Sequence, residues 1–130
     1  MTRVLLIALT LSLLAACSHH IQFIGTGDGA IITGTHNLWR HTIDVTLPSG
    51  ARLDGPYQTL TTDAIGERSL FFGANLTELL GAHMSGRFHG YARLTGQDDQ
   101  VLEIVFALEW TGRGYGVART STGQEYRAMF

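Results

Sequence analysis

Val101-Leu102-Glu103-Ile104-Val105-Phe106-Ala107-Leu108-Glu109-Trp110 is the stretch on which the fold turns. Leu102, Ile104, Phe106, Leu108 and Trp110 are all large and apolar, while Glu103 and Glu109 mark the opposite side. A period of two is that of a pleated strand, so one face of the segment belongs in a core, Trp110 included. Val105 and Ala107 make the middle of the second face apolar as well. That face therefore also calls for cover. Gln97-Asp98-Asp99-Gln100 turns into the strand and Thr111-Gly112-Arg113-Gly114 turns out of it, with 87–95 and 115–120 as its neighbours.

The same period recurs upstream. Trp39, His41, Ile43, Val45 and Leu47 alternate with Arg40, Thr42, Asp44 and Thr46, which places Trp39 in the core. Pro48-Ser49-Gly50 supplies turn residues, and 51–57 returns as a hairpin partner. Short strands are expected at 30–35 and 70–76, and Tyr126, Ala128 and Phe130 share one face of a last one. Thr77 reads as the N-cap of a short helix over 77–83. Gly90-Tyr91-Ala92-Arg93-Leu94-Thr95-Gly96 is echoed by Gly116-Val117-Ala118-Arg119-Thr120-Ser121-Thr122-Gly123, and more loosely by 29–34. Gly90 and Gly116 read as strand glycines that make room for a bulge or a large cross-strand ring. Together these features predict an all-β fold, a small antiparallel meander arranged as a sandwich or partly closed barrel, with 30–130 as a single β domain.

Composition narrows the function classes. The chain has 130 residues, and its 9 basic residues, all Arg, face 11 acidic ones for a net charge of −2. No basic run exists, so the electrostatic footprint of a nucleic-acid binder is missing. A hydrophobic content of 45% against 15% charged residues excludes a disordered chain.

The N-terminus carries an address. Met1-Thr2-Arg3 is a short positive start, and the apolar run from Val4 to Ala16 is shorter than the roughly 20 residues a membrane span needs. Such a run is a signal-peptide core. It ends in Leu14-Ala15-Ala16-Cys17, which resembles the lipobox of bacterial lipoprotein precursors: an aliphatic residue, two small residues, then Cys. The resemblance implies diacylglycerol transfer to the Cys17 thiol and cleavage after Ala16, removing the first 16 of 130 residues. Lipidation at Cys17 also accounts for a single Cys in an exported chain, since no disulfide partner exists. Ser18, in place of Asp, favours the periplasmic face of the outer membrane by analogy with enteric-type sorting. Residues 17–29 then read as the lipidated N-terminus and a short tether.

Chemistry-bearing patterns are sparse. Six histidines are present, with no His-x-His or His-x-x-x-His pair, so they read as surface and rim residues and no metal is expected. Gly25-Thr26-Gly27-Asp28-Gly29 lacks the lysine and following helix of a phosphate loop, and Asp28 alone is too few oxygens for calcium. No serine sits in a Gly-x-Ser-x-Gly elbow. Glu103 and Glu109, about 20 Å apart by strand rise, are too distant for a glycosidase pair. No catalytic residue and no cofactor is therefore expected. A terminal aromatic, Phe130, is shared with outer-membrane barrels, but those need eight strands and six or seven shorter ones are expected here.

Ser121-Thr122-Gly123-Gln124-Glu125-Tyr126 resembles the Ser-Gly-x-x-Tyr stretch of membrane-bound lysozyme inhibitors, small β lipoproteins. The likeness covers six residues and departs in spacing, in the absence of a cysteine pair and in the absence of lysine. It implies, as the alternative function, inhibition of an envelope-attacking enzyme such as lysozyme. The main expectation is a non-catalytic binding or structural module whose partner is an envelope protein or glycan, besides the membrane reached through Cys17. Exposed aromatics and arginines at turns are the expected contacts: Tyr57, Arg87, Arg113 and Tyr115.

Overall fold

In the computed structural model, which describes residues 18–72, 89–109 and 113–130, the alternating segments become antiparallel strands. They are β1 (Ser18–Gly25), β2 (Ile31–Asn37), β3 (Thr42–Thr46), β4 (Arg52–Leu60), β5 (His89–Thr95), β6 (Val101–Leu108), β7 (Gly114–Thr120) and β8 (Glu125–Met129). Each pairs with its chain neighbour, and β8 returns to β1 from Gln22↔Met129 to Gly25↔Tyr126. The all-β sheet is thus a closed up-and-down barrel among the described residues. Closure removes the unpaired edges that an open meander would have to protect.

Alternation decides which side chains fill the barrel. Ile21, Phe23, Ile32, Ile43, Val45, Leu53, Leu94, Leu102, Ile104, Phe106 and Tyr126 form its interior. The β5–β6–β7 register shows how one large ring is accommodated. Phe106 lies directly between Gly90 and Gly116, and a Cβ at either glycine would overlap it. Gly90 makes room for the ring itself, and Gly116 for the close approach of the Val105–Phe106 backbone.

Polarity is reversed relative to a barrel that spans lipid. The outward positions of β2, β3, β4, β5, β7 and β8 include Thr33, Asp44, Arg52, Asp54, Arg93, Arg119 and Arg127. A lipid-facing wall would make that surface apolar. The strand count is eight among the described residues, more than the sequence suggested, and the terminal aromatic Phe130 packs on the interior core.

Several expectations are corrected. The stretch read as a tether is largely β1, which hydrogen-bonds to both β2 and β8, so residues 18–25 belong to the barrel and not to a tether before residue 30. Trp39 is not core: it is 77% exposed. His41, with φ 52, adopts the left-handed conformation and breaks the alternation just before β3, so Trp39 is released from the inward face. Residues 70–72 are not strand, and the remainder of 70–76, the helix expected at 77–83 and Trp110 lie outside the described residues.

A helix does form, elsewhere. α1 (Thr62–Arg68) follows β4, with the Thr61 side chain accepting the Ala64 N–H at 3.3 Å. Asp63 in its first turn and Arg68 in its last suit the helix dipole. Only Ile65 of this helix is buried. It joins Phe72, Tyr91, Val105 and Val117 in a second apolar cluster on the outer wall. Residues 61–72 thus form a strap over the second face of β6, the one whose apolar middle calls for cover.

Candidate functional site

The barrel's end nearest Ser18 is closed by rings. His36 lies edge-on to Tyr57 at 4.7 Å and to Phe130 at 5.6 Å, and Phe106 packs on Tyr57 and Phe130 at 5.7 and 4.6 Å. His41 stacks on the outer side of Tyr57 at 5.1 Å. His36 is 0% exposed, and neither of its ring nitrogens has a hydrogen-bond partner. Burial, together with His19 and His41 nearby, pulls its pKa down to about 4. The ring is therefore a neutral core member at ordinary pH, and His89 is buried too. The expectation that the histidines are surface residues is corrected for these two, because β2 and β5 alternation turns them onto covered faces.

The densest polar arrangement lies outside the barrel, under the strap. Glu103, 0% exposed, accepts the Ser69 hydroxyl at 2.8 Å and the backbone N–H groups of Leu70 and Phe71 at 2.9 and 2.8 Å. Its other oxygen accepts the Tyr91 hydroxyl and lies 3.4 Å from the Arg93 guanidinium. Burial by itself would raise the Glu103 pKa, but the hydrogen bonds from Tyr91, Leu70, Ser69 and Phe71 outweigh it and hold the carboxyl below its ordinary range. Burial and the adjacent Glu103 push the Tyr91 hydroxyl up to about 12. A carboxylate held ionised with its lone pairs occupied is a fastening, ill suited to move protons. Arg119 secures the end of the strap, donating to the Phe71 carbonyl at 2.9 Å, standing 4.9 Å over the Phe72 ring and pairing with Glu125 at 2.9 Å.

Among the described residues the depressions are open to solvent, one of about 510 Å³ lying between the 50–54 and 95–98 segments. A depression of about 300 Å³ beside the strap is lined by Pro56, Gln58, Arg68, Tyr91 and Arg93. Its arginines are engaged: Arg68 donates to the Gln58 side chain at 3.0 Å and Arg93 to the Arg68 carbonyl at 2.6 Å. At the far end of the barrel, about 350 Å³ lies between the 25–28 and 123–126 segments. There the phosphate-loop lookalike is the β1–β2 turn, with Asp28 accepting the Ala30 N–H at 3.0 Å. Among the described residues no three His, Cys, Asp or Glu side chains converge as metal ligands.

Of the four expected contact residues, Tyr57, Arg113 and Tyr115 are described, and they are not gathered into one site. Tyr57 is 9% exposed and lies inside the ring cluster, which corrects its reading as an exposed aromatic. Burial raises its pKa. Arg113 is exposed just before β7, and Tyr115 is half-buried with its hydroxyl accepting from Arg127. Arg87 and Cys17 lie outside the described residues. Sequence reasoning missed Glu103 as a buried anchor, although Val105 and Ala107 beside it already signalled cover on that face. It missed Trp39 as a surface group because the left-handed turn at His41 has no signature in the alternation. No family model, no curated protein and no solved structure matches this chain.

Proposed function

We propose that this chain is a small lipoprotein anchored through Cys17 to the periplasmic face of the outer membrane, acting there as a non-catalytic binding or structural module. The carrying observation is the junction Leu14-Ala15-Ala16-Cys17-Ser18, at which a complete lipobox runs into the first strand of a barrel. The interior of that barrel is filled by side chains, and its most connected carboxylate holds a strap in place. Both features favour recognition on an outer surface, by an envelope protein or glycan, over chemistry in a pocket. No cofactor enters this reading. The test is metabolic labelling with radioactive palmitate in a bacterial host. Native chain should take up label and be processed, whereas Cys17→Ala should take up none and accumulate as precursor. Equal processing of the two would overturn the anchor.

A second reading, inhibition of a lysozyme-like enzyme, is supported by the position of the 121–126 segment. Ser121, Thr122, Gly123 and Gln124 form an exposed turn between β7 and β8, at the barrel end opposite Ser18. A lipid-held barrel would present that turn away from its anchor. Purified protein should then lower the activity of one member of a lysozyme panel at micromolar concentration, and unchanged activity across the panel removes the reading.

A further inference from the structure

The end of the barrel that bears Ser18 also bears an aromatic that stands exposed among the described residues. Ser18 is the direct cross-strand partner of Asn37, and Trp39 follows two residues later in the β2–β3 turn. Cross-strand partners lie about 5 Å apart and two residues of chain span at most about 7 Å, so the Trp39 and Ser18 Cα atoms are within about 12 Å. The turn is shaped by Asn37, whose side chain accepts the Arg40 N–H at 2.9 Å, and by the left-handed His41. It carries Trp39 at 77% exposure with the exposed Arg40 beside it.

We propose that Trp39 is a membrane-interface anchor, seated in the headgroup layer of the same leaflet that holds the Cys17 acyl chains, with Arg40 against lipid phosphates. The proposal rests on lipidation at Cys17. An acyl group on residue 17 leaves no spacer between lipid and β1, so this end of the barrel is held against the bilayer. The interfacial layer is several ångströms deep on each side of the hydrocarbon, and Trp prefers it because the ring is apolar and the indole N–H still finds acceptors. An arginine beside it adds attraction to anionic lipid. Of the other exposed large apolar residues among those described, Ile31 starts β2 at the opposite end and Leu70 lies on the strap, whereas Met129, 51% exposed at the end of β8, adds apolar surface on the Ser18 side. The acyl chains already hold the protein on the membrane, so Trp39 sets orientation. It stands the barrel on its Ser18 end, and the turns at 25–30, 47–51, 96–100 and 121–124 face the periplasm.

The test uses full-length lipidated protein reconstituted in phosphatidylethanolamine/phosphatidylglycerol vesicles, with and without lipids brominated on their acyl chains. Mass spectrometry of the N-terminal peptide first establishes acylation of Cys17. Brominated vesicles should quench a substantial fraction of the native tryptophan emission, and the Trp39→Ala variant, its β circular dichroism retained, should lose most of that quenchable component. Equal fractional quenching of native and Trp39→Ala protein overturns the orientation while leaving the lipoprotein reading intact. Absence of acylation at Cys17 overturns both. Trp39→Phe, which keeps an interfacial ring but removes the indole, checks the seating independently. It should retain the membrane protection of an adjacent proteolytic site at Arg40 that Trp39→Ala loses, and equal cleavage of the two counts against the proposal.

Discussion

Two buried residues, His36 and Glu103, have shifted pKa values that lower stability in acid, and they act in the same direction. His36 has its folded pKa lowered from 6.5 to about 4, so the unfolded chain binds a proton more readily. The stability contributed by neutral His36 is complete above about pH 6.5 and is lost as the pH falls through about 4. Glu103, held below its ordinary 4.5, contributes stability that is present above about pH 4.5 and is lost at still lower pH. Urea titrations at a series of pH values should therefore show falling stability from about pH 6.5 downward, with His36→Leu flattening the portion between about 6.5 and 4.5. An unchanged slope in His36→Leu assigns that portion to other groups. His36→Leu should also be more stable than native protein at neutral pH by about 1 kcal/mol, because it removes two unpartnered buried nitrogens. Glu103→Gln keeps the shape but places an amide donor among donors and removes the charge paired with Arg93. Its expected cost is about 3 kcal/mol, read as a lower urea midpoint at unchanged slope.

At the level of elements, the strap is held to the β5–β6–β7 sheet by a small set of contacts and is expected to open before the barrel. Ile65 and Phe72 supply the strap's apolar contacts, and Glu103 and Arg119 its polar fastenings. Ile65→Ala should accelerate amide exchange across 62–72 while the strand amides of β2 and β3 stay protected. Uniform acceleration would mean that strap and barrel open together. The slot for Phe106 offers a second experiment. Gly90→Ala should destabilise the protein by about 2 kcal/mol by driving a methyl into the ring, and Phe106→Leu should recover part of that loss in the double variant. Strict additivity would place the glycine's role in the backbone instead. The slot was legible in the chain, since a glycine at a strand centre signals a neighbouring ring. The helix was not, because a seven-residue helix with one buried residue carries no repeating apolar stripe.

For the molecule as a whole, closure is the decisive event. The β1–β8 pairs join residues a hundred or so positions apart in sequence, such as Gln22 and Met129, and contacts of that separation form late. A chain ending at Gln124 would expose the edges of β1 and β7 and remove Tyr126 and Ala128 from the core. It should show no cooperative thermal transition, and a retained sigmoidal melt would mean that seven strands suffice. The sequence alone determined the strand character and the inward set of β3, β6 and β8, because each is written in residues adjacent in the chain. Only the tertiary structure decided that the sheet closes, that Glu103 is buried under a strap from more than thirty residues upstream, that Tyr57 points inward and that Trp39 points out. Those outcomes depend on which strands meet and on one left-handed residue, and local periodicity records neither.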